Sequence, residues 1–524
     1  IGSNSKAFTA FAVSQLIKEN KIELDGKVSD YLDNFYLNYY KSYRGKKYNG
    51  QVDVTIEQLL HHTSGIPTNS IVDIPESNDE NSLHDTVYGF SNMSLKNYPG
   101  SRFEYATINY DILGLIIEKV TGESYEKYMQ DNVFDKFGLT NTTAEQVSNI
   151  SSGYKESLFG IKKYDAPVYK GNTPAGYIVS DIADMCRWIK IQMGMISTED
   201  SELLQMTHEA NHANSTGLNN AYYASGWYCN ETVDGKLVFH GGDNPNFSSF
   251  ILFNSEKKIG VCVLANVNSV YTTSLTEKIY NILEGNHRIV KAEDTVGILN
   301  NISRFIIGFF LIFIIAVIVL IIKQILRISY LKKHKTENYI KTNYKNAVVL
   351  GVILTAFIVG MRFIPRLFFA NAGWEFARVW MPDSLYIAAN VVSVGLVCFF
   401  IYYVLSSYKV SDETYNLVPL VIVSAISGFG NSMIIFMINM AISRGERFDK
   451  VLFTYFIIGL LIYIFGQRIV RFDLIKISNE IIYKKRMDIT SKVLESNYEQ
   501  FSSLDSGQIE TVLNNDTEVI SNFS

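Results

Sequence analysis

Cysteine is scarce in this sequence. Its 524 residues hold only Cys186, Cys229, Cys262 and Cys398. No two form a C-x-x-C pair and their spacing fits no zinc ligand set, which argues against a metal centre or a thioredoxin-type redox site. They read as small buried hydrophobes. Charge is also scarce: 19% of residues are charged against 47% hydrophobic, which leaves room for a membrane-embedded part. The net charge of −5 is spread over a long chain and gives no reason to expect nucleic acid as a partner. No internal repeat occurs, and neither does the phosphate loop G-x-x-x-x-G-K-[ST]. Also missing are an initiator methionine, a signal peptide and a helix stop after Ile520. The expectation is a piece of a longer protein, with upstream residues supplying an edge of a sheet.

The chain is too long for one core, so at least two domains are expected. Residues 1–285 read as soluble and mixed α/β. Ala7 to Ile22 and Phe103 to Val120 carry helical periodicity, and Thr273 to Leu283 reads as a closing helix. Lys236 to Phe239, Ser248 to Phe253 and Lys258 to Ala265 read as strands. Residues 286–303 read as a linker. Five uncharged runs follow: Phe305 to Ile322, Asn346 to Met361, Ser384 to Tyr408, Thr414 to Ser443 and Val451 to Gln467. About 20 apolar residues span a bilayer core, and five successive runs predict five spans. The loop after the first run carries Lys323, Arg327, Lys332, Lys333, Lys335, Lys341 and Lys345 against one acid, Glu337. The positive-inside rule puts this loop in the cytoplasm and residues 1–285 outside it. Arg468, Arg471, Lys484, Lys485 and Arg486 agree with a cytoplasmic C-terminal segment. The outer loops hold Arg362, Arg366 and Arg378, and Arg444, Arg447 and Lys450.

Three separated motifs carry chemistry. Ser3-Asn4-Ser5-Lys6 is an S-x-x-K, and on a helix residues three apart share a face. A serine hydroxyl is a weak nucleophile until a base takes its proton, and a lysine can be that base if burial lowers its pKa. Tyr105-Ala106-Thr107 offers a phenol that can relay a proton when cations stabilise its anion. His240-Gly241-Gly242-Asp243, placed at a strand end, offers a cation or donor for a substrate carboxylate. Its glycines would let a substrate backbone approach. Each motif alone is common. Adjacent His61 and His62 face different ways and read as structural.

In order and spacing the three resemble the β-lactamase-related serine hydrolases, which include class C β-lactamases, DD-carboxypeptidases and esterases. The family order is S-x-x-K, Y-x-N, then K/H-x-G. Leu59-Leu60-His61-His62-Thr63-Ser64-Gly65-Ile66-Pro67, Pro174-Ala175-Gly176 through Trp188, Gly226-Trp227 and Phe247-Ser248-Ser249 are similar to the same family. The resemblance implies an α+β fold with an antiparallel sheet flanked by helices. It makes Ser3 the nucleophile, Lys6 the general base, Tyr105 the relay and His240 the third-motif group. The oxyanion hole would use the N–H groups of Ser3 and Asp243, beside Thr107, Gly241 and Gly242, with no metal or cofactor. Thr107 stands where the family has Asn, and a hydroxyl is shorter than an amide and makes fewer hydrogen bonds. This argues against true β-lactamase turnover and leaves peptidase, esterase or acyltransfer chemistry, or a non-catalytic binding domain.

Residues 304–413 would hold three spans, and 414–524 resemble the start of an ABC exporter of the cyclic-peptide group. The stretch Tyr498 to Ile520 has the S/T-G-x-I and N-D-x-x-x-I features of that family's first cytoplasmic loop. The resemblance implies ATP and Mg at a nucleotide-binding domain beyond residue 524, and a homodimer or half-transporter partner. The combined expectation is a multi-pass plasma-membrane protein whose outward serine hydrolase acts on a peptide or acyl substrate. Two alternatives stay open: a sensor domain on a membrane anchor, and a membrane-tethered DD-carboxypeptidase or β-lactamase-like enzyme without transport.

Overall fold

The alternating small and large apolar residues from Ala7 to Val13 suit a helix packed on all sides. In the computed structural model they lie in α1 (Ser5–Lys18), whose residues from Ser5 through Val13 are all buried. Phe8 stacks on Trp188 at 4.4 Å between ring centroids and meets Phe134 edge-on at 5.6 Å. The residues described are 1–218, 220–286, 294–333, 339–341, 344–368, 372–406, 408–410, 417–444, 450–495 and 511.

Helix α2 (Ile108–Thr121) crosses α1 and ends at Gly122, whose φ of 74° supplies the left-handed cap that favours glycine. It begins five residues later than the periodicity predicts. The reason is local: Glu104 N–H donates to the His62 carbonyl at 2.8 Å and Ala106 N–H to His62 Nδ1 at 3.3 Å, so this stretch is held out of the helix. Helix α3 (Ile182–Gln192) contributes Trp188 to the core.

Beside α1 stands a five-stranded antiparallel sheet. Its strands are β1 (Tyr222–Tyr223), β2 (Tyr228–Thr232), β3 (Gly235–Asn244), β4 (Phe247–Asn254) and β5 (Ile259–Ala265), in the order β5-β4-β3-β2-β1. Side chains alternate along β4 as a two-residue period requires. Ile251 and Phe253 join the α1 core, whereas Phe250 and Leu252 pack with Tyr280 of α4 (Tyr271–Leu283). The α+β expectation is met. One strand differs from expectation: β3 runs on through His240-Gly241-Gly242 instead of stopping before it, because Gly242 pairs with Ser249 of β4.

Compact packing divides the described chain into one unit of Ile1–Arg304 with Phe368–Tyr386 and another of Phe305–Leu367 with Ile387–Ser524. This differs from the boundaries read in the sequence. Residues 294–303, expected as linker, and Arg304, expected in the first span region, belong to the first unit: Asn300 donates to Glu156 Oε2 at 2.9 Å and Arg304 to the Ser157 carbonyl at 2.8 Å. So does the segment around Asp383, which pairs with Lys155 and Lys162. The boundary at 413/414 falls outside the described residues.

The second unit is helical: α5 (Thr295–Lys333, shared with the first), α6 (Tyr344–Met361), α7 (Asp383–Ser406), α8 (Val418–Arg444) and α9 (Lys450–Glu495). Among the described residues four helices are long and apolar enough to cross a membrane; the run Asn346–Met361 is shorter. Five full spans were expected, but 16 residues at about 1.5 Å each fall short of a bilayer core. Large side chains such as Ile312 and Ile442 stay exposed, as a lipid-facing surface allows. Tyr455 hydroxyl donates to the Gly360 carbonyl at 2.9 Å and Gln467 to Ser427 Oγ at 3.2 Å, polar links of the kind that join helices in lipid.

Truncating Phe8 should test the α1 core. Phe8→Ala is expected to cost about 3–5 kcal/mol, read as a lowered unfolding midpoint of the detergent-solubilised chain. Phe159→Ala, at a side chain 97% exposed, should leave the midpoint in place.

Candidate active site

Ser3 sits in a 3₁₀ turn, Gly2–Asn4, that feeds α1, and this places Lys6 one turn along the same face. Lys6 Nζ lies 3.0 Å from Ser3 Oγ and 2.7 Å from the Ala175 carbonyl. Lys6 is fully buried, with its ammonium group 5.1 Å from the Tyr105 ring centre and 5.7 Å from that of Tyr110. Burial drives its pKa down to about 7, with Asp111 opposing the fall. A free amine is therefore available near neutral pH, in contact with the serine hydroxyl.

Tyr105 is hydrogen-bonded to Ser3, and burial raises its pKa well above that of a free phenol, with Tyr228, Tyr110 and Asp243 pushing the same way. It is a neutral phenol here, so it can pass a proton but does not act as the base. His62 lies against it, ring centroids 4.3 Å apart. His62 Nδ1 accepts from Ala106 N–H and from Asn109 Nδ2 at 2.9 Å, and Ser64 Oγ donates to Asn109 Oδ1 at 2.8 Å. The Leu-Leu-His-His-Thr-Ser-Gly segment is thus the scaffold that aims Tyr105. His62 belongs to that scaffold and also lies against the Tyr105 ring. Thr107 is buried at the start of α2 and, among the described residues, its hydroxyl makes no hydrogen bond to Ser3, Lys6 or Tyr105.

His240 comes to the same place from β3. Its Nδ1 is 2.6 Å from the Gly241 carbonyl, which can only accept, so Nδ1 carries the proton. Nε2 then accepts from the Tyr223 hydroxyl at 3.1 Å. Burial lowers the His240 pKa to about 3, so the third motif holds a neutral imidazole, where the sequence suggested a cation or donor. The glycines also do something other than admit substrate. A methyl group on Gly242 would come 2.1 Å from the Ile1 carbonyl, and one on Gly2 would come 2.5 Å from the Asp243 nitrogen. Strand β3 and the Ser3 turn therefore meet backbone to backbone, which brings the amides of Ser3 and Asp243 to one corner. Strand β2 pairs with β3 only as far as Phe239, so Gly241 to Asp243 have no β2 partner.

Asp111 was not singled out in the sequence. It is fully buried on α2, accepts a hydrogen bond from Ala175 N–H, and burial raises its pKa. With its amide nitrogen turned inward, Asn172 donates to both carboxylate oxygens at 3.2 and 2.8 Å. Asp111 holds the residue whose carbonyl holds Lys6. Its sequence signal was the single charged residue within the largely apolar stretch Ile108 to Ile117. Tyr223, which engages His240, had no such signal: it is brought in by the sheet.

The family model described as Beta-lactamase matches residues 1–284. Protein flp of Staphylococcus aureus (strain N315) is 31% identical over 408 residues, 76% of this chain and 78% of its own. That likeness is longer than residues 1–284, so it reaches into the helical region. A penicillin-binding protein from Bacillus halodurans is similar in structure, at 25% identity and a TM-score of 0.44, over 54% of this chain and 84% of its own. An octameric penicillin-binding protein homologue from Pyrococcus abyssi is 24% identical with a TM-score of 0.46, over 55% of this chain and 66% of its own.

The acylation rate of Ser3 should follow the free amine of Lys6. Below the Lys6 midpoint the ammonium cannot accept the serine proton; above it the amine can. Fluorophosphonate labelling measured against pH should rise with a midpoint near 7 and then level off. Lys6→Arg, which keeps its proton, should lose at least about 100-fold at every pH.

Proposed function

Because this chain belongs to the β-lactamase family, we propose that residues 1–285 are a membrane-tethered serine hydrolase working through an acyl-enzyme. The observation that carries this reading is the 3.0 Å contact between Ser3 Oγ and a lysine whose pKa burial lowers to about 7. In the first step Lys6 takes the Ser3 proton as Oγ bonds to the carbonyl carbon of a peptide, ester or other acyl substrate. The N–H groups of Ser3 and Asp243 receive the negative charge on the carbonyl oxygen. As the intermediate collapses, the leaving group departs with a proton passed through the Tyr105 hydroxyl, which Lys6 makes good. Water or another acceptor then attacks the acyl-Ser3 ester, and the same groups run in reverse.

The basic loop after α5 supports an orientation with the hydrolase domain outside the cytoplasm and the C-terminal segment inside it. We further propose that the C-terminal part begins an ABC-type peptide exporter that works as a dimer or with a partner half. One structural feature favours it: α9 has 46 residues, about 69 Å of helix. That is roughly twice a bilayer core, as expected of a span that continues into the cytoplasm. The exporter-like stretch Tyr498 to Ile520 lies outside the described residues apart from Thr511. The sequence carries no G-x-x-x-x-G-K-[ST] pattern, and the hydrolytic steps above use no ATP.

Two measurements test these readings. A fluorophosphonate should label the intact protein and fail to label Ser3→Ala; equal labelling of both would remove Ser3 as nucleophile. The complete protein in lipid should show ATP turnover stimulated by peptide, and its absence would leave the hydrolase as the activity of the chain.

A further inference from the structure

A site of this kind can meet its substrate with charge, and here the charge is unusual. The charged groups acting most strongly on Tyr105, His62 and His240 include Lys6 and Asp243, and Asp111 acts on Lys6. Lys6 must lose its charge to serve as base. Asp111 is fully buried and bonded to Ala175 and Asn172. His240 is neutral, with one nitrogen on the Gly241 carbonyl and the other on Tyr223. The next residue, Gly241, brings no hydroxyl. What remains at the rim is Asp243, whose side chain reaches water while the surrounding walls raise its pKa by desolvation. Among the described residues no lysine, arginine or histidine forms an ion pair with it. The walls are otherwise aromatic: Tyr228 lies 5.3 Å and Tyr105 6.2 Å from the His240 ring, centroid to centroid.

We propose that this site takes esters or amides whose acyl part carries an ammonium group or no charge, and turns away those with a carboxylate near the scissile carbonyl. The proposal rests on the hydrolase reading of the same site and names its substrate class. A carboxylate entering here leaves water, finds no free donor on His240 and faces Asp243. An ammonium group finds Asp243 as its partner. An uncharged acyl group gains the aromatic walls without either effect.

The test compares three p-nitrophenyl esters on the full chain in detergent: the acetate, the glycinate and the hemisuccinate, each corrected by the rate of Ser3→Ala. The kcat/KM for glycinate should exceed that for hemisuccinate by about tenfold or more at low salt, with acetate between them. Asp243→Asn should bring the two charged esters within about threefold of each other, and raising salt should narrow the gap in the unaltered protein. Hemisuccinate cleaved as fast as glycinate, or a gap that neither the variant nor salt changes, would overturn the proposal. If Asp243→Asn does not fold, the salt series alone decides. Rates equal to Ser3→Ala for all three esters would sink the hydrolase reading itself, and the specificity with it.

Discussion

A lysine with no water around it is the constraint on which the first unit depends. An ammonium group is costly to bury, and the protein responds by letting it go neutral near pH 7 instead of neutralising it with an adjacent ion pair. That outcome requires α1 to be packed on every side, which explains the run of buried residues from Ser5 to Val13. It requires an acceptor with no full charge, which the Ala175 carbonyl supplies. It requires that carbonyl to be held, and Asp111 with Asn172 fixes the segment that bears it. The Ser3–Lys6 contact and the packing of two helices are therefore one problem with one solution.

The same economy appears where the sheet meets the turn that carries Ser3. Asn4 donates to Ser249 Oγ at 2.7 Å, and Ser249 Oγ donates to the Ile1 carbonyl at 2.6 Å. Gly242 lies opposite Ser249 and has no side chain because none fits. Strand β3 is thereby pinned against the turn that carries Ser3, and His240, two residues earlier, is drawn inside with Tyr223 above it. A histidine so enclosed is neutral. The third motif acts here as a wall and a hinge of hydrogen bonds, and the charge at the mouth of the site is left to Asp243.

The helical region is built the other way round. Large apolar side chains point outward there, and the polar groups inside it find partners such as Gly360 and Ser427. Between the second and third apolar runs the chain leaves this region to join the first unit, where Asp383 meets Lys155 and Lys162 and Ser384 donates to Asn300 Oδ1 at 2.6 Å. A segment that composition assigns to a membrane loop is thus structurally part of the first unit.

The sequence by itself determined the main strands, the position of the apolar runs and the three motifs, because periodicity and residue spacing are local properties that survive without coordinates; the fold class followed from the resemblance those motifs carry. It placed Ser3 and Lys6 on one face by helical geometry alone. It overextended the start of α2, since the bonds that His62 makes to residues 104 and 106 come from 42 positions away or more. It took Gly241 and Gly242 for openings to substrate, since the Ile1 carbonyl that excludes a side chain from Gly242 is over 240 residues distant. The role of Asp111 beneath Ala175, the place of Tyr223 and the neutral state of His240 were decided by tertiary structure. Charge state depends on how much water and which partners surround a group, and only the packed fold sets both.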